Sequence, residues 1–160
     1  ISDTVRLYLR SESSPYNIVD SSIATVGNGG NGFFEFYNTD NFVNYYLQVK
    51  HRNSLETWSS NTFQFTTQYS SYEFSPDVTM AYGKNMIQVD DTPVRFAFYS
   101  GDINQDGIID GSDISDVEND ASNALSGYVP TDVTGDDFVD GSDVSIVENN
   151  AVNSVSVITP

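Results

Sequence analysis

Residues 102–123 and 132–153 repeat one another at a constant offset of about thirty residues, and this duplication constrains the fold of the 160-residue chain more than any other feature. Asp102 matches Asp132, Asp106 matches Asp136, and Asp110-Gly111-Ser112-Asp113 matches Asp140-Gly141-Ser142-Asp143. The agreement continues downstream, pairing Ser115 with Ser145, Val117-Glu118-Asn119 with Val147-Glu148-Asn149, Ala121 with Ala151 and Asn123 with Asn153. Each copy reads as an acidic loop followed by a short helix. In the helical parts, Ile114, Val117, Ala121 and Leu125, and in the second copy Val144, Val147 and Ala151, recur every three or four residues. Neither helix has anything to bury its stripe against by itself, so the two are expected to face each other.

The loop carries oxygen donors at positions 1, 3, 5, 9 and 12, the spacing with which a twelve-residue EF-hand-type loop wraps calcium. In the first copy these are Asp102, Asn104, Asp106, Asp110 and Asp113, with the backbone carbonyl of Ile108 at position 7. Gly107 occupies position 6, where the chain must turn with positive φ, and Ile109 at position 8 is expected to point inward. Hard oxygen ligands without His or Cys select calcium over zinc or copper.

Charge agrees with that reading. The six basic residues, Arg6, Arg10, Lys50, Arg52, Lys84 and Arg95, all precede residue 101, whereas the stretch from Gly101 to Pro160 has none and holds more than half of the 23 acidic ones. Such a stretch must stay disordered, repel itself open or recruit cations, and its regular apolar spacing argues against disorder. The net charge of −17 excludes nucleic acid and anionic membrane as partners, since both require a basic surface. No apolar run approaches the ~20 residues of a membrane span. With no cysteine, the chain has neither disulfides nor thiol chemistry. Calcium dependence implies a secreted, extracellular protein, and the strand-like pattern opening at Ile1 is that of a mature or excised product.

Residues 1–99 read as antiparallel β-structure, and 100–160 as the second domain. Val5, Leu7 and Leu9 alternate with Arg6, Tyr8 and Arg10, Phe34 and Phe36 with Glu35 and Tyr37, and Tyr45, Leu47 and Val49 with Tyr46, Gln48 and Lys50. Further strands are expected over 18–26, 61–69, 86–89 and 94–99, with turns at Ser13-Ser14-Pro15, 27–32, 38–41 and Ser75-Pro76-Asp77. Seven or eight short strands predict an immunoglobulin-like β-sandwich. No active site is legible: His51 is the single histidine, beside Arg52 at a strand end, and the adjacent carboxylates Asp90 and Asp91 face opposite ways on a strand. Trp58, Tyr69, Tyr72 and Tyr82 either form a platform for stacking sugars or fill the core and its rim.

The duplicated loop-helix unit, with Asp at position 12 and no helix before the loop, resembles the type I dockerin family over Gly101 to about Asn153, where Gly-Asp-Ile-Asn-Gln-Asp-Gly-Ile-Ile-Asp matches at every ligand position. The stretch from Val5 to Val49, through Gly-Phe-Phe-Glu-Phe and Tyr-Tyr-Leu-Gln-Val, is similar to prealbumin-like or carboxypeptidase-regulatory-like sandwiches. The dockerin resemblance implies two calcium ions, a pseudo-two-fold pair of helices and docking onto a cohesin domain. It also implies a second ligand set of Asp132, Thr134, Asp136, the carbonyl of Phe138, Asp140 and Asp143. Two departures, Thr134 at position 3 and Asp137 in place of glycine at position 6, predict weaker binding by the second loop. The family's partner-selecting positions are Gly111-Ser112 and Gly141-Ser142 here, and glycine offers a cohesin no side chain.

The chain is therefore expected to be mostly β with a small α part: an antiparallel sandwich followed by a dockerin-like pair of calcium loops with two helices. The expected role is a non-catalytic extracellular structural protein that binds calcium and assembles with copies of itself, as in a filament. The alternatives are an attachment or adhesion module of a larger secreted enzyme or adhesin, docking to a cohesin-like partner, and a carbohydrate-binding module. The tail from Val155 to Thr159 reads as a further strand, placed to join the chain's own sandwich or a neighbour's edge.

Overall fold

A computed structural model describes residues 2–66 and 69–160. The fold is mostly β with two helices, and its sheets are antiparallel. The strands are β1 (Asp3–Ser11), β2 (Ile18–Val26), β3 (Asn44–His51), β4 (Thr57–Trp58), β5 (Phe63–Gln64), β6 (Ile87–Asp91) and β7 (Val94–Ala97). The helices are α1 (Gly111–Ser122) and α2 (Gly141–Val152). The strand-like opening at Ile1, and the Thr67-Gln68 portion of the strand expected over 61–69, lie outside the described residues.

The chain divides into two compact units. One comprises Ser2–Lys50, Glu56–Ala97 and Ile158–Pro160, the other His51–Leu55 and Phe98–Val157. The expected boundary at residues 99 and 100 is close to the second crossing, but the short His51–Leu55 segment goes with the repeat. The physical reason is Leu55, 1% exposed among the apolar side chains of the repeat. No sequence signal marks it, because its partners, from Tyr99 to Val155, lie far downstream in the chain.

In the β unit, one sheet runs in the order β2-β1-β3-β4, with β5 also paired to β3, and β6 and β7 form a separate hairpin. Alternation built β1 as expected: Leu9 is fully buried and packs with Tyr45 and Leu47, against which Leu7, Val19, Phe36, Phe63, Phe65 and Tyr72 close. β3 departs from its half-buried reading, because Gln48 on the outer face is 1% exposed. The Arg10 guanidinium donates to Gln48 Oε1 at 2.6 Å and lies 5.3 Å over the Trp58 ring. Tyr16, Tyr46 and Trp58 meet edge to face at 5.9 to 6.3 Å, so this face is covered by aromatics.

Residues 34–37 keep the expected alternation, with Phe34 and Phe36 half-buried and Glu35 and Tyr37 exposed, but they form no strand. Side chains of β2 take the place of a ladder. Ser22 Oγ accepts from Glu35 N at 3.1 Å, and Asp20 Oδ2 accepts from Tyr37 N at 2.7 Å and Asn38 N at 2.8 Å. Burial pushes the Asp20 carboxyl up, but the backbone N–H groups of Asn38, Tyr37 and Ser21 outweigh it and hold the carboxyl below its ordinary 3.8. Asp20→Ala should cost about 1 kcal/mol in denaturant unfolding. A folded value below the unfolded one means that this contribution is complete above pH 3.8 and is lost as pH falls through the lower folded value. The gap between the parent chain and Asp20→Ala should therefore close on acidification below that point.

Candidate metal centre

In the repeat unit each loop delivers its helix. Asp110 and Asp140 are extended N-caps whose Oδ1 atoms accept from Ser112 N at 2.8 Å and Ser142 N at 2.7 Å. Asp113 and Asp143, at the third helical positions, complete capping boxes by accepting from Asp110 N at 3.0 Å and Asp140 N at 2.9 Å. Positions 9 and 12 of each loop thus also start the helix. The backbone N–H and Oγ–H of Ser112 hold the Asp110 carboxyl below the ordinary carboxylate range.

The helices bury the expected stripes. Val117 and Val147 are fully buried, as are Ile109 and Val139 at position 8 of the loops, and Ile114, Ala121, Val144 and Ala151 pack against them. Leu125 departs from its place in the α1 stripe, since the helix ends at Ser122 and Leu125 is 36% exposed in the segment beyond it.

The first residue of each loop is as buried as the last. Asp102 and Asp132 are 2% exposed, Asp113 and Asp143 fully buried. Asp113 Oδ1 accepts from Ile103 N at 2.8 Å and Asn104 N at 3.2 Å, and Asp143 Oδ1 from Val133 N and Thr134 N, both at 2.9 Å. Each loop thereby closes on itself. Asn104 Oδ1 accepts from Asp106 N, and Asp106 and Asp136 accept from the N–H of Ile108 and Phe138. Position 6 takes positive φ in both copies, 90° at Gly107 and 69° at Asp137.

At position 1, Asp102 Oδ1 accepts from Gly107 N at 3.4 Å, and Asp132 accepts from Gly135 N at 2.7 Å, Asp137 N at 3.1 Å, Asp136 N at 3.2 Å and Thr134 Oγ1 at 3.4 Å. Among the described residues, no three acidic or histidine side chains are gathered into a metal-binding group. The twelve expected ligands therefore lie in two continuous loops linked by hydrogen bonds, without a coordination shell formed from their carboxylates. The donor chemistry nevertheless fits a hard cation. Four buried carboxylates belong to a stretch with no Lys or Arg, and buried carboxylates are ordinarily paired or metal-bound.

Sequence reasoning missed three contributors from outside the loops. Asn53 Nδ2 donates to Asp132 O at 2.9 Å, while Asn53 O accepts from Gly101 N at 2.7 Å. Arg52 donates to Val129 O and lies 4.5 Å over the Tyr128 ring, so this unit does contain a cation. Asn150 Nδ2 reaches Ser100 O at 2.7 Å. Of the four aromatics singled out in the β part, Trp58 is 5% exposed and meets Tyr46 edge to face, Tyr46 also meets Tyr82, Tyr72 lies beside Phe74, and Tyr69 lies near Phe33. Comparison with protein-family models, curated proteins and solved structures returned no significant match.

Position 6 yields an asymmetric prediction. A Cβ at Gly107 would lie 3.3 Å from Val157 Cγ2 on a left-handed backbone, so Gly107→Asp should cost about 1–2 kcal/mol. Asp137→Gly removes the same strain from the second loop and should gain up to about 1 kcal/mol. Thermal unfolding of both variants in calcium reads the difference; equal effects of the same sign would contradict it.

Proposed function

We propose that this chain is a secreted, non-catalytic calcium-binding structural protein whose acidic repeat, once locked by two calcium ions, serves to join chains, as the subunit of an extracellular filament. The observation that carries the reading is the burial of Asp102, Asp113, Asp132 and Asp143 in two matching loops of a stretch without basic residues. Asp102, Asn104, Asp106, the Ile108 carbonyl, Asp110 and Asp113 would hold one ion. Asp132, Thr134, Asp136, the Phe138 carbonyl, Asp140 and Asp143 would hold the other. Calcium would supply charge neutralisation and a cross-link between the start of each loop and its helix. A site saturated about a hundredfold above its dissociation constant adds roughly 2.7 kcal/mol to folding.

A carboxylate already engaged by N–H groups retains lone pairs for a cation. Thr134 at position 3 and the strained positive φ of Asp137 at position 6 support weaker binding by the second loop. The joining role draws support from β6: its five residues are all exposed, and among the described residues it pairs only with β7. Such an edge accepts a strand from a neighbouring chain, and head-to-tail contacts that do not close build filaments. The dockerin resemblance motivates a second arm of the test, docking to a cohesin-type partner.

Chelation by EDTA should abolish the helical circular dichroism and excess calcium should restore it, while light scattering in calcium should show association. Helicity indifferent to EDTA would overturn the calcium assignment. A monomeric mass in calcium would overturn self-assembly, and binding to an immobilised cohesin domain without self-association would replace it with the attachment role.

A further inference from the structure

The segments that follow the two helices are exchanged between the repeats. Ser156, beyond α2, forms an antiparallel bridge with Ile108 of the first loop, and Ser126, beyond α1, forms one with Phe138 of the second. The bonds that make the bridges correspond one for one. Ile109 N donates to Val155 O and Val157 N to Gly107 O, both at 2.9 Å; Val139 N donates to Leu125 O and Gly127 N to Asp137 O, again at 2.9 Å.

In both bridges the hydrogen bonds are made by the flanking residues, which is the antiparallel pairing in which the two opposed residues do not bond each other. The N–H and C=O of Ile108 and Phe138 therefore face away from the bridging segment and into their own loops. The N–H groups confirm the direction, since Ile108 N bonds Asp106 Oδ1 at 2.9 Å and Phe138 N bonds Asp136 Oδ1 at 3.0 Å. Each carbonyl lies on the same side of the strand as its N–H.

We infer that the post-helix segment of each repeat positions the backbone cation ligand of the other repeat, so that Val155–Val157 serves the first loop and Leu125–Gly127 the second. This rests on the calcium reading of the loops and deepens it by assigning positioning residues outside both ligand sets. Because the arrangement is crossed, damage after α2 falls on the loop that precedes α1. It does not fall on the loop adjacent in sequence.

Val157→Pro removes the N–H that bonds Gly107 O, while Val157→Ala keeps it and trims only the side chain. Calcium titrations of the full chain, followed at the Gly107 and Gly135 amides by NMR, read the two loops separately; circular dichroism at saturating calcium checks that both helices persist. Support of a ligand from outside the coordination shell is typically worth about 10- to 100-fold in metal affinity. Val157→Pro should therefore weaken the first loop at least about tenfold and the second much less, with Val157→Ala near the parent chain. A larger loss at Gly135 than at Gly107, equal losses at both, or loss of the helices in Val157→Pro and Val157→Ala alike would overturn the crossed assignment while leaving calcium binding in place. No calcium response at either amide of the parent chain would overturn both readings.

Discussion

Four aspartates are buried in a segment that has no positive side chain of its own from residue 101 onward, and the rest of the repeat is arranged around that constraint. A buried carboxylate is tolerated only where its oxygens are satisfied. Backbone N–H groups provide this here: Asp113 and Asp143 each take three, two from the start of the loop and one from the helix N-cap. One side chain thus closes the loop and starts the helix. The acidic pattern is consequently a folding instruction as well as a charge distribution, since the position-12 residues Asp113 and Asp143 also accept from the N–H of their own helix caps.

The same economy explains why the unit occurs twice. The core is formed jointly by Ile109 and Val139 from the loops, Val117 and Val147 from the helices, and Val155 from the second exit segment. A single repeat would expose its stripe and lose the strand that backs its loop. Exchange of the exit segments makes the two copies one cooperative body, in the sense that neither loop is complete within its own repeat. The asymmetry between copies is local: Thr134 Oγ1 donates to Asp132 and Asp137 carries the positive φ that glycine holds in the first loop, while the bridging geometry is unchanged.

Periodicity exposed those parts of the structure whose partners repeat in register, and missed those whose partners do not. The Val5-Leu7-Leu9 alternation placed β1, and the thirty-residue offset placed both loops, both helices and the inward Ile109. Alternation at Phe34 and Phe36 reported burial correctly yet could not reveal that Ser22 and Asp20 side chains replace the ladder. Gln48 looked outward because its cover, Arg10 and Trp58, comes from other strands. Leu125 kept the apolar spacing beyond the end of α1, so spacing alone could not show that it had left the helix. Val155 and Val157 did read as strand, but their partner is the first loop of the same chain, a pairing specified by three-dimensional exchange and invisible along the sequence. Asn53 and Leu55 carried no signal, since a two-residue contribution has no period.

Charge also bears on what such a chain can join. Two divalent ions would remove only four of its seventeen net negative charges, so neighbouring copies would still repel. At physiological ionic strength that repulsion is screened beyond roughly 8 Å, which leaves close contacts to be made where negative charge is sparse. The exposed apolar residues of the β unit, Ile23 on the edge strand β2 and Ile87, Val89 and Val94 on the β6–β7 hairpin, sit among fewer carboxylates than the loops carry, with Arg95 partly offsetting Asp90 and Asp91 on the hairpin. On the proposed reading, the acidic repeat would be the part whose charge calcium neutralises, and the β unit the part whose edges would make contact. Association in calcium would accordingly depend on calcium through folding of the repeat and on salt through screening between β edges, two dependences that a simple ion bridge between chains would merge into one.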